Sequence, residues 1–191
     1  MRAFVGLGNP GKEYEMTRHN MGFIVLKKLA HDLGTSFRKD ERFEGWRTKA
    51  DTVELFLPAT YMNESGRAVQ KLVHYFQIAP SKILAVVDDM DLPFGQMRLK
   101  AFGGSGGHNG LKSMERELGT NHFARLRIGI GRVSGASQVD HVLGKFSQEE
   151  QELLGGIVDD AVACLKKLMT EEFSKVANVV NQRSVTTKED V

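Results

Sequence analysis

The chain is poor in the features that tie a protein to a membrane, a metal or an oxidising compartment. One cysteine, Cys164, stands among 191 residues, so no disulfide can close within the chain. It falls between Val162 and Leu165 in a helical pattern, which reads as a buried thiol. No apolar run is long enough to cross a bilayer. The start, MRAFVGLGNPG, has neither the long apolar core nor the small-residue cleavage site of a secretory leader. A cytoplasmic protein is the expectation. No group of His, Cys and Asp has the spacing of a zinc site, so no metal is expected. Four prolines against 20 glycines argue for tight loops rather than a disordered linker. At this length one domain over residues 1–191 can bury a sizeable core.

Charge is present in both signs but unevenly placed. Residues 1–147 carry 21 Lys and Arg against 15 Asp and Glu, whereas 148–191 carry 5 against 9. The basic surplus lies in 1–30 and 91–147, which suits a polyanionic partner. Residues 3–7 read as a short buried strand. Met21, Val25, Leu29 and Leu33 recur at helical spacing before Gly34. Two tightly joined strands follow at 43–50 and 52–58, then a helix at 63–76. KILAVVDD (82–89) is a continuous apolar run ending in carboxylates, as a central strand would be. QMRLKAF reads as a short strand, 109–118 as a helix ended by Gly119, and ARLRIGIG as a further strand. Residues 133–147 show no regular pattern and read as a mobile loop or lid. Residues 148–182 read as helical, and 184–191 as a frayed tail. The fold class expected is α/β: a mixed, largely parallel twisted sheet flanked by helices, with a helical C-terminal segment.

Three motifs suggest chemistry that their context does not support. Gly6, Gly8 and Gly11 satisfy G-x-G-x-x-G, but polar KEYEMTR follows where a dinucleotide fold needs a helix. ILAVVDD resembles the carboxylate strand of a P-loop NTPase, but Leu111 interrupts the nearest phosphate-loop candidate, Gly110-Leu111-Lys112-Ser113. Gly103-x-Ser105-x-Gly107 matches a nucleophile elbow, with Asp140 and His141 downstream. That serine esterase is the alternative enzyme reading. It is weakened by the poorly apolar strand before the motif and by adjacent Asp and His side chains that would diverge.

What remains is a set of polar residues at the ends of apolar elements. Asn9 follows the first strand, His19 and Asn20 open the first helix, and Asn63 opens the second. Asp88 ends the central strand, and His108 and Asn109 open the third helix. In open α/β sheets such positions line the ligand crevice. Each has a plainer explanation as well: Asn63 and Asn109 as helix caps, Asn9 before Pro10-Gly11 as a turn residue, and Asp88, Asp89 and Asp91 as a solvated loop. Histidine, asparagine and a carboxylate together suit ester or amide hydrolysis without a covalent intermediate.

The segments GLGNPGKEYEMTRHNMG, YMNESG, DDMDLPFG, GGSGGHNGLKS and RLRIGIGR closely resemble the bacterial peptidyl-tRNA hydrolases, in order from residue 4 to about 147. The resemblance implies cleavage of the ester between a peptide and its tRNA, by a monomer that needs no cofactor. It implies that His19 is the catalytic base and Asp88 its supporting carboxylate. It implies that Asn9 distinguishes blocked peptidyl-tRNA from aminoacyl-tRNA. Tyr14, Tyr61, Met62, Asn63, His108 and Asn109 match substrate-binding positions, and Lys100 and Arg127 match residues that hold a tRNA phosphate. Where the family often has Phe, this chain has Tyr61. A tRNA-binding module without catalysis is the other reading, and for Arg127 a salt bridge to an acidic residue, perhaps in the acidic tail, is the alternative.

Overall fold

The computed structural model describes residues 1–132 and 137–186. Its centre is a seven-stranded mixed sheet: β1 (Ala3–Gly6), β2 (Arg38–Asp40), β3 (Gly45–Ala50), β4 (Val53–Pro58), β5 (Ile83–Asp89), β6 (Met97–Lys100) and β7 (Ala124–Gly129). The strand order is β2-β3-β4-β1-β5-β7-β6. The inner pairings β4–β1, β1–β5 and β5–β7 are parallel, and the outer ones antiparallel. The helices are α1 (Met21–Asp32), α2 (Ser65–Tyr75), α3 (Asn109–Leu118), α4 (Gln138–Leu143), α5 (Gln148–Thr170) and α6 (Phe173–Thr186).

β5 explains the sheet. Residues Ile83–Val87 are fully buried, because both faces of the strand are covered. Leu84 and Val86 pack with Val25, Leu26 and Leu165 of α1 and α5, and Ala85 and Val87 with Val69, Leu72 and Leu111 of α2 and α3. Each buried Leu, Ile or Val contributes about 1.5–3 kcal/mol. Apolar residues must therefore run without interruption until the strand leaves the core, at Asp88 and Asp89. Next to β5 lies β1, where the connections diverge: α1 leaves on one face and α2 returns on the other. The crevice where such connections part, at the carboxyl ends of the strands, is where open α/β sheets hold ligands. Gly6 and Gly22 let α1 press its N-terminus onto this edge. A Cβ on Gly22 would lie 2.3 Å from the Val86 carbonyl oxygen, and one on Gly6 2.4 Å from that of Gly22.

Two stretches differ from the sequence reading. The helical tail is two helices, broken between Thr170 and Phe173. Within 133–147, which shows no periodicity, the structure contains α4, started by Ser137, whose hydroxyl accepts from Asp140 N–H. Residues 133–136 of that expected loop, and 187–191 of the expected tail, lie outside the described residues. The short β2 at the sheet edge has no counterpart in the sequence reading. Its three residues are charged and largely exposed, so no apolar signal marks them.

Candidate active site

His19 and His108 meet on one carboxylate oxygen. His19 Nδ1 is 2.8 Å from Asp88 Oδ1, and His108 Nε2 is 3.1 Å from the same atom. The imidazole rings lie 4.9 Å apart, centroid to centroid. All three side chains are buried. Asp88 continues the face of β5 that carries Leu84 and Val86, and so turns toward the start of α1, where His19 sits in a single 3-10 turn, Arg18–Asn20. Asp89, one residue on, faces the other way. This alternation separates the two carboxylates that sequence alone leaves equivalent.

The proton positions follow from the bonds. His108 is the N-cap of α3, and its Nδ1 accepts from the N–H groups of Gly110 and Leu111 at 3.2 and 3.3 Å. Nδ1 is therefore unprotonated, and Nε2–H donates to Asp88. Burial pushes the His108 imidazole below its ordinary pKa despite Asp88, so it is neutral. Burial opposes ionisation of Asp88, but His19 and His108 outweigh it and hold the carboxyl well below the usual range. With His108 neutral, its share comes through its N–H rather than a full charge. An ionised Asp88 accepts Nδ1–H of His19, which leaves His19 Nε2 as an acceptor without a partner among the described residues. The three ligand atoms lie within 4.8 Å of one another, close enough for a metal ion. The backbone bonds to His108 Nδ1 instead keep a proton on the nitrogen that would have to ligate.

Asparagines form a second cluster beside the first. Asn20 grips the backbone of Asn9 at two points: its Oδ1 accepts Asn9 N–H at 2.8 Å, and its Nδ2 donates to Asn9 O at 3.0 Å. Asn9 Oδ1 accepts Met62 N–H at 2.8 Å. That bond orients the amide, so Asn9 Nδ2 remains a donor with no partner among the described residues. Asn63 and Asn109 do not cap their helices. His108 caps α3, the residue before α2 makes no side-chain cap, and both asparagine amides are exposed and unused by the fold.

A cavity of about 210 Å³ opens on this group, lined by His19, Asp88, Asp89, His108, Asn109 and Arg127, with Arg132, Val139 and Val142 opposite. A larger groove of about 760 Å³ runs between α5, α6 and the Pro93–Met97 turn, but it holds no imidazole. Of the sequence-derived residues, Asn9 lines a separate cavity of about 390 Å³ with Asn20, Phe23 and Trp46, and Met62 is buried near His108 without lining either. Tyr14 is half-buried beside the Asn9 loop, and Tyr61, 59% exposed, and Asn63 lie outside the lining. Lys100 ends β6, exposed and unpaired among the described residues. Arg127 is buried. Its Nη1 is 3.1 Å from Asp89 Oδ2 and its Nη2 donates to Gly104 O at 2.9 Å. The salt bridge expected as the alternative is therefore present, with Asp89 rather than the tail. Arg125, fully buried, donates to the carbonyls of Gly103, Gly104, Asn121 and Phe123. Two arginines thus hold the glycine loop that leads to His108.

The decoy motifs do not assemble. His141 Nε2 bonds Gly131 O at 2.9 Å and Asp140 bonds Ser137, so neither reaches Ser105. Gly11 precedes 3-10 turns, and α1 begins only at Met21. The sequence reading placed Asn20 among the crevice residues without a specific role, and did not single out Arg18 or Gly22. The signal available was a glycine in the first turn of an apolar helix, where only a close backbone contact explains it, preceded by the polar run Thr17–Asn20.

Comparison with known proteins gives the family. The family model "Peptidyl-tRNA hydrolase" matches residues 3–188. A peptidyl-tRNA hydrolase of Prochlorococcus marinus (strain NATL2A) is 41% identical over 191 residues, covering 95% of each chain. One from Geobacillus kaustophilus (strain HTA426) is 44% identical over 187 residues, covering 95% of this chain and all of that one. The crystal structure of peptidyl-tRNA hydrolase from Acinetobacter baumannii superposes with a TM-score of 0.87 at 41% identity, covering 95% of this chain and 94% of that one. With the family model spanning nearly the whole chain and these relatives well above 30% identity, this chain belongs to the peptidyl-tRNA hydrolase family.

Proposed function

We propose that this protein hydrolyses the ester joining a peptide to the 3′ end of its tRNA, recycling tRNA from stalled translation. The observation that carries the mechanism is the bond from Asp88 to His19 Nδ1, which leaves Nε2 to take a proton from water. The resulting hydroxide attacks the ester carbonyl, whose oxygen becomes negative and is met by the amide N–H donor of Asn109, which lines the cavity, while Asn63, outside that lining, belongs to the wider substrate surface. The carbonyl carbon–ribose oxygen bond then breaks. The ribose oxygen takes the proton from His19, and the peptide leaves as a carboxylic acid, which then ionises to solvent water. An ester needs no covalent intermediate, so Ser105 has no part.

Asn9 sets the choice of substrate. Its free Nδ2 is a donor. A blocked amino group brings a carbonyl oxygen that can accept from it. A free aminoacyl-tRNA presents an ammonium group instead, and two donors face each other. Tyr14, Tyr61 and Met62 complete the substrate surface, with Tyr61 offering an exposed ring for stacking. His108 holds Asp88 from the other side. For tRNA, Lys100 opposes Arg125 and Arg98 opposes Arg127 across the β6–β7 pair. Like charges in register cost stability and favour a bound phosphate. Lys100 contacts phosphate directly, and Arg127 contributes its charge from behind while bound to Asp89. The reading includes a single domain in the cytoplasm and, as the resemblance implies, a monomer that needs no cofactor.

The test is release of tRNA from N-acetyl-aminoacyl-tRNA by purified protein, beside the unblocked aminoacyl-tRNA. Hydrolysis of the blocked substrate alone is expected. Tight tRNA binding with no release would leave the non-catalytic binding module.

A further inference from the structure

Arg18 immediately precedes His19, and its side chain runs away from the catalytic cavity. The guanidinium meets Glu150 in a fork: Nε to Oε1 at 3.2 Å and Nη2 to Oε2 at 2.6 Å. Its Nη1 donates to the carbonyl of His141 at 3.3 Å, within α4. Its backbone N–H donates to Gly144 O at 3.0 Å, and Thr17 forms an antiparallel bridge with Lys145. Gly144 permits this approach, since a Cβ there would lie 2.8 Å from Arg18 Nη1. Glu150 is itself fixed, because its Oε2 accepts Ser147 N–H in the capping box that starts α5.

These bonds have a purpose beyond one ion pair. α4 has six residues, too few to hold its own shape. It carries Val139, 62% exposed, and Val142, and both line the catalytic cavity opposite His19 and Asp88. The C-terminal half of α4 is tied twice: the His141 ring bonds Gly131 O at the exit of β7, and the carbonyls of His141 and Gly144 accept from Arg18. The residue before the base therefore holds the opposite wall of the cleft.

We propose that Arg18, with Glu150, is a positioning residue that sets the distance between the apolar wall formed by Val139 and Val142 and the base His19, and so determines how well the acyl part of the substrate is seated. This rests on the proposed hydrolase reading. The arginine fork matters, because a point charge cannot hold two oxygens and a carbonyl in fixed directions.

The experiment uses Glu150→Gln and Arg18→Lys in the full chain, with kinetics read on the unlabelled proteins and wall mobility on a parallel set carrying a nitroxide on Val139→Cys. Cys164 is buried, so labelling is confined to position 139. KM for N-acetyl-aminoacyl-tRNA should rise roughly 3- to 30-fold in either variant, with kcat and the pH–rate profile unchanged and the nitroxide more mobile. The double variant should be no worse than the poorer single one. Unchanged KM and unchanged label mobility would overturn the proposal. So would a fall in kcat with KM fixed, which would mean that the pair acts on His19 itself. If the wild type hydrolysed nothing, the hydrolase reading would fail, while label mobility would still decide whether the pair holds the wall.

Discussion

Asp88→Asn separates the charge of the carboxylate from its shape. The amide that replaces the carboxylate still presents an oxygen to the N–H groups that now lie 2.8 and 3.1 Å away. What disappears is the charge that stabilises the His19 imidazolium as water gives up its proton. Converting a charge-assisted hydrogen bond to a neutral one costs about 1–2 kcal/mol. The lost attraction between carboxylate and imidazolium overlaps with this and brings the total to about 2–4 kcal/mol at a protein-like dielectric. Since about 1.4 kcal/mol is tenfold in rate, kcat should fall by roughly 30- to 900-fold. Stability at neutral pH should change less, since the variant also escapes the cost of burying a charge. The sign of the acid dependence is fixed: the folded carboxyl lies below its ordinary range, so its contribution is present above that range and is lost as pH falls through the folded value. Wild type and variant should therefore converge in stability in acid. The assay is single-turnover release of tRNA from N-acetyl-aminoacyl-tRNA, with thermal melts alongside. A variant within about threefold of wild-type kcat would refute the reasoning. Asp89→Asn is the contrast: it strips Arg127 of its partner, and should lower the melting temperature while sparing kcat.

Other expectations rest on the same geometry. Ser105→Ala should keep near-normal turnover, and a fluorophosphonate should not label the wild type. Lys100→Ala should raise KM for full-length peptidyl-tRNA with kcat kept, and flatten log affinity against log salt by roughly 0.7–0.9 per lost phosphate contact. A short substrate lacking the 5′ phosphate should be cut equally by variant and wild type. Arg127→Ala should raise KM less than Lys100→Ala, leave the salt slope near that of wild type, and lower the melting temperature, because Asp89 and Gly104 O lose their donor. Cys164, whose thiol burial pushes up to about 12, should resist a disulfide reagent in the native protein and react at once in denaturant.

Much of the fold is legible because its signals are local. KILAVVDD declares a strand covered on both faces, and Gly119 ends α3 in the left-handed conformation, φ 67°. The elements at the ends of apolar runs are legible too, which is why His19, Asp88 and His108 stand out in the sequence. What joins them is not. That one oxygen of Asp88 serves two imidazoles depends on strand parity and on two helices arriving from opposite faces. Asn109 looks like a cap until His108 is seen to cap α3 in its place, and Asn63 until the start of α2 is seen to have no side-chain cap. Arg127 looks like a clamp on phosphate, and its partner Asp89 lies 38 residues away on the neighbouring strand. α4 is hidden because six residues carry too few apolar positions to show a period, and it is held by Arg18 and His141 rather than by its own sequence.

The central claim is that His19, held by Asp88, activates the water that cleaves the ester. It is tested most directly by single-turnover hydrolysis with His19→Ala, with tRNA affinity measured on the same preparation. A loss of roughly 10²–10⁴-fold in rate is expected, with affinity and melting temperature near those of wild type. Full activity in the folded variant would contradict it.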